Sequence, residues 1–169
     1  MNKTFLLALS LLLSITTLVS AQKFGFCYSA LLMTQLPEVK AADSDLQAFQ
    51  TQLTKVGQQR VKNLQDKAAE LKSKQDRGAI SRVDGETQTA LLQAEQESIA
   101  DYEQEVYSKL AQKRQELYKP IFDKVNEAMK VVAAENGFQF VFDSSTQVVL
   151  YGHESLDVTS LLKVKLGLN

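Results

Sequence analysis

The sequence predicts an α+β protein in which a long antiparallel helical hairpin, with coiled-coil-like arms, protrudes from a small β body. Three observations carry that expectation. From Glu38 to Lys119 the chain runs 82 residues without proline and is rich in Gln, Lys, Glu, Ala and Leu, the composition of a long solvated helical segment. Near its middle Gly78 and Gly85 bracket a stretch able to reverse the chain. Of the 12 aromatic residues after position 21, nine lie outside the arms or at their base, which places the core there.

The first 21 of the 169 residues read as an export signal. Lys3 supplies the positive start, Phe5 to Val19 is apolar apart from Ser and Thr, and Val19-Ser20-Ala21 gives the small residues of a cleavage site. The apolar run is about 15 residues, short of the roughly 20 that span a bilayer, and no later stretch comes close, so an integral membrane protein is not expected. Cleavage leaves Gln22 first and 148 residues, one domain's length.

Lys23 to Tyr28 is a candidate strand. Pro37 followed by Glu38 starts a helix, because proline is tolerated at the first helical position and a carboxylate favours the positive end of the helix dipole. Apolar residues recur at Leu46, Phe49, Leu53 and Val56, then at Val61, Leu64, Ala68 and Leu71, with a one-residue slip between the sets. The turn falls within 78–85. The second helix carries Leu92, Ile99, Tyr102, Val106, Leu110 and Leu117, continues past Pro120, where a kink is expected, and ends at Asn136-Gly137. A helix of 40 residues, Glu38 to Arg77, is about 60 Å long, too long for a domain of this size to enclose.

Phe138, Phe140 and Phe142 alternate with Gln139, Val141 and Asp143, and Val148 to Tyr151 follow across a polar tetrapeptide, which predicts a β-hairpin. Leu161, Leu162, Val164 and Leu166 form a terminal helix capped by Thr159. The expected organisation is a signal over 1–21, a β-rich body from 22–37 and 120–169, and an arm over 38–119. A 66-residue body is marginal for a single core, and its phenylalanine-faced strands need covering. Association through Phe24, Phe26, Phe138, Phe140 and Phe142 answers both needs, so a homo-oligomer is expected.

Charge supports pairing of the arms. Between Lys55 and Arg82 eight basic residues face three acidic ones, whereas Asp84 to Glu105 holds seven acidic residues and no basic one. Folding near residue 80 lays one block along the other, biasing register. Without the signal, 18 basic residues stand against 20 acidic ones, which argues against a nucleic-acid partner.

Catalytic chemistry is not expected. The exported chain has one cysteine, Cys27, and one histidine, His153, and no phosphate loop, paired-cysteine or metalloprotease motif, so no catalytic residue, metal or cofactor is assigned. Cys27 has no disulfide partner, does not directly follow the signal as a lipoprotein cysteine would, and reads as a small buried residue. His153 reads as a solvated loop residue.

Three stretches together carry a resemblance: Phe24-Gly25-Phe26-Cys27-Tyr28-Ser29 with Gln35-Leu36-Pro37-Glu38-Val39-Lys40-Ala41-Ala42; Lys119-Pro120-Ile121-Phe122-Asp123-Lys124-Val125 running to Ala134-Glu135-Asn136-Gly137-Phe138; and Leu156-Asp157-Val158-Thr159. The sequence resembles the Skp/OmpH family of periplasmic chaperones over nearly all of the exported chain. The resemblance implies a periplasmic homotrimer whose strands form a small barrel, with three helical hairpins around a cavity. There, without ATP, it would hold unfolded outer membrane proteins in transit to the outer membrane, with at most transient contact with a membrane surface. The best-known members are strongly basic, and this near-neutral chain departs from them.

Apolar arm residues Leu64, Leu71, Val83 and Leu92 are then candidates to touch client, as are the tip cations Lys72, Lys74, Arg77 and Arg82. Each also has a plainer reading, packing within the hairpin or solvated surface. The rival function is a structural or tethering coiled-coil protein of the envelope, against which the slip in the apolar pattern and Gly57 argue.

Overall fold

The computed structural model describes residues 22–168, so the export signal expected over 1–21 lies outside them. The chain order is β1 (Phe24–Cys27), α1 (Ser29–Gln35), α2 (Pro37–Asp76), α3 (Arg82–Asn136), β2 (Phe140–Asp143), two 3₁₀ turns at Ser144–Thr146 and Glu154–Leu156, and α4 (Thr159–Lys165). Two compact units result: residues 33–126, and the residues up to 32 together with 127 onward.

The first unit is the hairpin of α2 and α3. Pro37 occupies the start of α2, and Leu36 before it makes no side-chain cap. At the other end Gly78 takes a left-handed φ of +63°. Its N–H reaches the Gln75 carbonyl at 3.0 Å while that of Ala79 reaches Lys74 at 2.8 Å, a Schellman closure that needs glycine there. Ser81 caps α3 by accepting from the Asp84 N–H at 3.1 Å. The reversal is thus confined to residues 77–81, and Gly85, expected at the turn's edge, is helical and buried. Leu53, Leu71, Tyr102, Ile121 and Val125 are buried along the seam, with Leu46, Phe49, Leu64, Leu92, Val106 and Leu110 half-buried beside them.

The charge blocks do not knit the arms together as expected. Lys67 bridges Glu95 at 2.8 Å across the hairpin, but Lys62–Asp66, Lys72–Asp76, Lys74–Glu70, Arg82–Glu86 and Lys109–Glu105 are all four-residue pairs within one helix. A partner one turn away is reached at less entropic cost than one across a seam already spaced by apolar side chains. Helix α3 runs through Pro120 as one element, although proline has no N–H to give the Glu116 carbonyl.

In the second unit β1 pairs with β2 in parallel, Phe24 opposite Phe140 and Phe26 opposite Phe142. Gly137, at φ +71°, ends α3 and turns the chain toward β2. The expected hairpin of residues 138–142 with 148–151 is not formed. After Asp143 the chain enters a 3₁₀ turn that ends on left-handed Gln147, and its next bridge is Asp157 to Phe26 on β1. The Asp143 and Ser145 side chains explain the departure, because they are committed to the start of α1. Asp143 accepts from the Ser29 N–H at 3.2 Å and from the Ser29 hydroxyl, and Ser145 Oγ accepts from the Ala30 N–H at 3.0 Å. Two orphan donors of α1, a helix the sequence pattern did not reveal, are satisfied this way.

The core of this unit joins Phe26, Cys27, Leu32, Ala128, Val132, Val158, Leu162 and Leu166. Thr159 is not the cap of α4. The N-cap is Val158, without a side-chain bond; the Thr159 hydroxyl accepts from the Tyr28 N–H at 3.1 Å, and the Thr159 N–H donates to Asp157 Oδ1 at 2.8 Å.

Candidate functional site

Parallel register puts Phe24, Phe26, Phe140 and Phe142 on one face of the two-stranded sheet and Gly25, Cys27, Val141 and Asp143 on the other. On the first face Phe24 stacks on Phe140 with ring centroids 5.7 Å apart, and Phe142 lies 6.3 Å from Phe24 and 6.4 Å from Phe140. These three rings remain substantially exposed, Phe140 at 54%. Phe26 is buried, because Gly152 lies so close to its ring that a Cβ there would stand 2.4 Å from it. Phe138 is outside the strand, half-buried, with Lys23 Nζ 4.1 Å from its ring centroid. The five aromatics expected to act together therefore split into an exposed stack of three and two that serve the chain's own packing.

Beyond β2, Val148, Leu150 and Tyr151 are exposed at 70%, 93% and 86%. Sequence pattern had assigned them to a strand, and their apolar side chains have no cover among the described residues.

On the opposite sheet face Gly25 and Cys27 are buried, with Val141 and Asp143 half-buried beside them. Cys27 Sγ lies 3.8 Å from Met129 Sδ, and burial, aided by the Asp143 and Asp157 charges, pushes its thiol up to about 11. Asp143 is pushed up by partial burial, but donors from the Ser29 hydroxyl, Ser145 and the Ser29 N–H outweigh that and hold it below its ordinary value. His153 caps the second 3₁₀ turn, its Nδ1 accepting from the Ser155 N–H at 3.3 Å. Among the described residues no group of three or more His, Cys, Asp or Glu is arranged to hold a metal, and no helix is long and apolar enough to cross a membrane.

On the hairpin the proposed contact residues are scattered. Leu71 is buried in the seam and has little surface to offer, Leu64 and Leu92 are half-buried, and Val83 is 64% exposed. Lys72, Lys74 and Arg82 are held by carboxylates one turn away, and Arg77 Nε donates to the Ser73 carbonyl at 3.1 Å. These four cations lie around the turn, each tied to its own helix.

Two features of the hairpin escaped the sequence reading. Tyr102, placed by periodicity among the seam residues, donates its hydroxyl to the Leu53 carbonyl at 3.0 Å, while the Arg60 guanidinium lies 4.2 Å from its ring centroid. Gly57 faces the same ring, a Cβ there meeting it at 3.4 Å. A tyrosine in an aliphatic series, four or five turns from any other aromatic on its arm's seam, was the available signal. The second feature is an open groove of about 600 Å³ on α3, lined by Ala111, Arg114, Tyr118, Lys119, Phe122 and Asp123 among others. Tyr118 and Phe122 have centroids 6.1 Å apart. Tyr118 donates to Asp43 of α2, a bond that raises its phenol above the ordinary value.

Comparison with known proteins gives the context for these surfaces. No curated protein matches the sequence. Among solved structures, an OmpH-like protein from Caulobacter crescentus CB15, described as a candidate outer membrane chaperone, matches with a TM-score of 0.73 at 18% identity, over 87% of this chain and 85% of that one. Its identity is low enough that it shows the fold alone: two long helices in a hairpin and a small strand region. The family model described as outer membrane protein (OmpH-like) matches residues 23–166. The chain therefore belongs to the OmpH-like outer membrane protein family.

Proposed function

We propose that the protein is an ATP-independent holdase chaperone of the periplasm that binds unfolded outer membrane proteins and keeps them from aggregating on the way to the outer membrane. The observation that carries this reading is the OmpH-like family match across residues 23–166. In this reading residues 1–21 are a cleaved export signal, residues 22–37 and 120–169 form an oligomerisation body, and residues 38–119 form an arm. Three copies associate through the exposed aromatic strand face, and their hairpins surround the client.

The chemistry of the arms fits a holdase. A β-barrel protein in transit exposes alternating apolar residues and unpaired strand edges that pair readily with other chains. The arm offers a mixed surface on which exposed Val83, Leu91 and Tyr107 are interspersed with charge. Many weak contacts, including those of Lys72, Lys74, Arg77 and Arg82, sum by multivalency and release the client without nucleotide hydrolysis. Neither a catalytic group nor a cofactor has a part in this mechanism.

The test is light scattering of an unfolded barrel protein diluted from urea, with and without the chain from Gln22 onward. Suppressed scattering for unrelated barrel proteins, unchanged by ATP, is the expected outcome. Protection confined to one folded partner would replace the holdase with an envelope tether.

A further inference from the structure

We propose that Asn136-Gly137, where α3 ends, is a site of self-modification at which Asn136 loses its side-chain amide as ammonia and becomes mainly isoaspartate, directed by Lys23. The site is separate from the surfaces described above and does not depend on the chaperone reading.

Three observations meet at this peptide bond. The first is access. Gly137 is exposed at φ +71°, and even a Cβ there would meet nothing within 4 Å, so its nitrogen is open to solvent and no side chain hinders its approach to Asn136 Cγ. The second is weak restraint. The Gly137 N–H reaches the Ala134 carbonyl at only 3.4 Å, beyond the ordinary range. Opening the end of the helix then gives up two ordinary bonds, Asn136 Nδ2 to the Val132 carbonyl at 2.8 Å and the Phe138 N–H to the Ala133 carbonyl at 2.9 Å. Together they hold the open form down about thirtyfold, a modest barrier for a reaction that runs over days. Asn63 and Asn126 lie inside α2 and α3, followed by Leu64 and Glu127, and reacting there requires breaking helix on both sides.

The third observation is charge. The Lys23 ammonium donates to the Asn136 carbonyl at 2.9 Å, and the Phe138 ring, 4.1 Å from the same ammonium, helps keep it there. That carbonyl belongs to the peptide whose nitrogen must lose its proton. A cation on it favours the deprotonated amide and the oxyanion that develops nearby on Cγ.

The Gly137 nitrogen gives its proton to hydroxide and attacks Asn136 Cγ. The new N–Cγ bond closes a succinimide, the Cγ–Nδ2 bond breaks, and the leaving nitrogen takes a proton from water and departs as ammonia. Water then opens the ring at one of two carbonyls. Attack at the former main-chain carbonyl breaks its bond to the Gly137 nitrogen and gives isoaspartate, whereas attack at Cγ gives aspartate. Lys23 polarises the first carbonyl and pairs with the carboxylate formed from it, so isoaspartate predominates. The product carries one more backbone carbon between α3 and β2, just ahead of the Gln139 N–H bond to the Lys23 carbonyl at 2.8 Å and of the Phe24–Phe140 pair.

The test is peptide mapping by mass spectrometry of the chain from Gln22 onward, held folded at pH 8. Heavy-oxygen water marks the hydrolysed position, and electron-transfer fragmentation separates isoaspartate from aspartate. Asn136 should convert while Asn63 and Asn126 stay intact. Lys23→Gln should slow the folded chain about threefold and lower the share of isoaspartate. In urea, where Lys23 is 113 residues away in sequence and no longer held beside the site, parent and variant should convert alike. Lys23 is exposed, and circular dichroism checks the variant's fold before incubation. A second comparison needs no variant: the parent's isoaspartate share should be higher folded than in urea. Conversion at Asn136 in the folded chain no faster than at Asn63 and Asn126 overturns the proposal. So does an unchanged or faster rate in folded Lys23→Gln, which would make Lys23 a clamp on the helix end, or a parent product ratio that is the same folded and unfolded.

Discussion

Asp143 ties three parts of the chain at one side chain. It accepts from the Ser29 N–H and hydroxyl at the start of α1 and from the Ser145 N–H in the following turn. Replacing it with Ala leaves those donors unpaired and should cost about 1 kcal/mol, the usual loss of a cap, read as a lower urea midpoint. The acid has a pH signature as well. Its folded value is held below the ordinary 3.8, so its contribution is complete above that value and is lost as pH falls through the lower folded value. Asp143→Asn should therefore flatten the acid limb of the stability profile, measured by urea unfolding from pH 6 downward. Cys27 gives a complementary expectation. With its thiol raised to about 11 by burial and by Asp143 and Asp157, it should resist Ellman's reagent at pH 8 until urea exposes it. Of these two residues only Cys27 was legible in sequence, as a small apolar residue with no partner. Asp143 read as the polar position of a strand, because nothing local announces that its partner is 114 residues earlier.

At the scale of elements, the two long helices were legible because periodicity and capping act within a few residues: Pro37 at the start, Gly78 and Gly137 past the ends. What was not legible was how the elements meet. The parallel pairing of β1 with β2 joins residues separated by the whole hairpin, and residues 148–151, of which Val148, Leu150 and Tyr151 are exposed, obeyed strand composition without finding a strand partner among the described residues. Charge blocks misled for the same reason, since block complementarity ignores the nearer partner one turn away. Two glycines separate local preference from tertiary contact. Gly57 lies inside α2, where glycine costs about 1 kcal/mol relative to alanine, and a Cβ would touch the Tyr102 ring at an ordinary 3.4 Å. Gly57→Ala should raise stability by up to about 1 kcal/mol. Gly152→Ala would drive a methyl to 2.4 Å from the buried Phe26 ring, so it should destabilise by about 1–3 kcal/mol. Thermal unfolding of the two variants should shift in opposite directions, and a shared sign would show that the Tyr102 and Phe26 contacts are not as described.

For the whole molecule, the exposed Phe24, Phe140 and Phe142 stack supplies the test of assembly. Phe140 is 54% exposed in the single chain, so an aspartate there is solvated and nearly harmless unless a partner covers it. Covered, an unpaired carboxylate costs several kcal/mol. Light scattering coupled to gel filtration should give three times the chain mass for the parent and a smaller or aggregated species for Phe140→Asp; a monomeric parent at micromolar concentration would refute the trimer. Arm length separates assembly from activity. Joining Val56 to Val106 by a short turn deletes the Tyr102 clasp, the Lys67–Glu95 bridge and the tip cations. It keeps the contacts nearest the chain ends of the hairpin: Tyr118 to Asp43, Lys124 to Glu38, and the buried Val39, Ala42, Ile121 and Val125. Val56 and Lys109 already line one cleft between the helices, so a short turn can close there without drawing the helices apart. Since none of the stacked phenylalanines lies in the deleted stretch, the shortened chain should keep the parent's oligomer number while losing most of its protection of an unfolded barrel protein. Full protection by the shortened chain would contradict encapsulation by the arms.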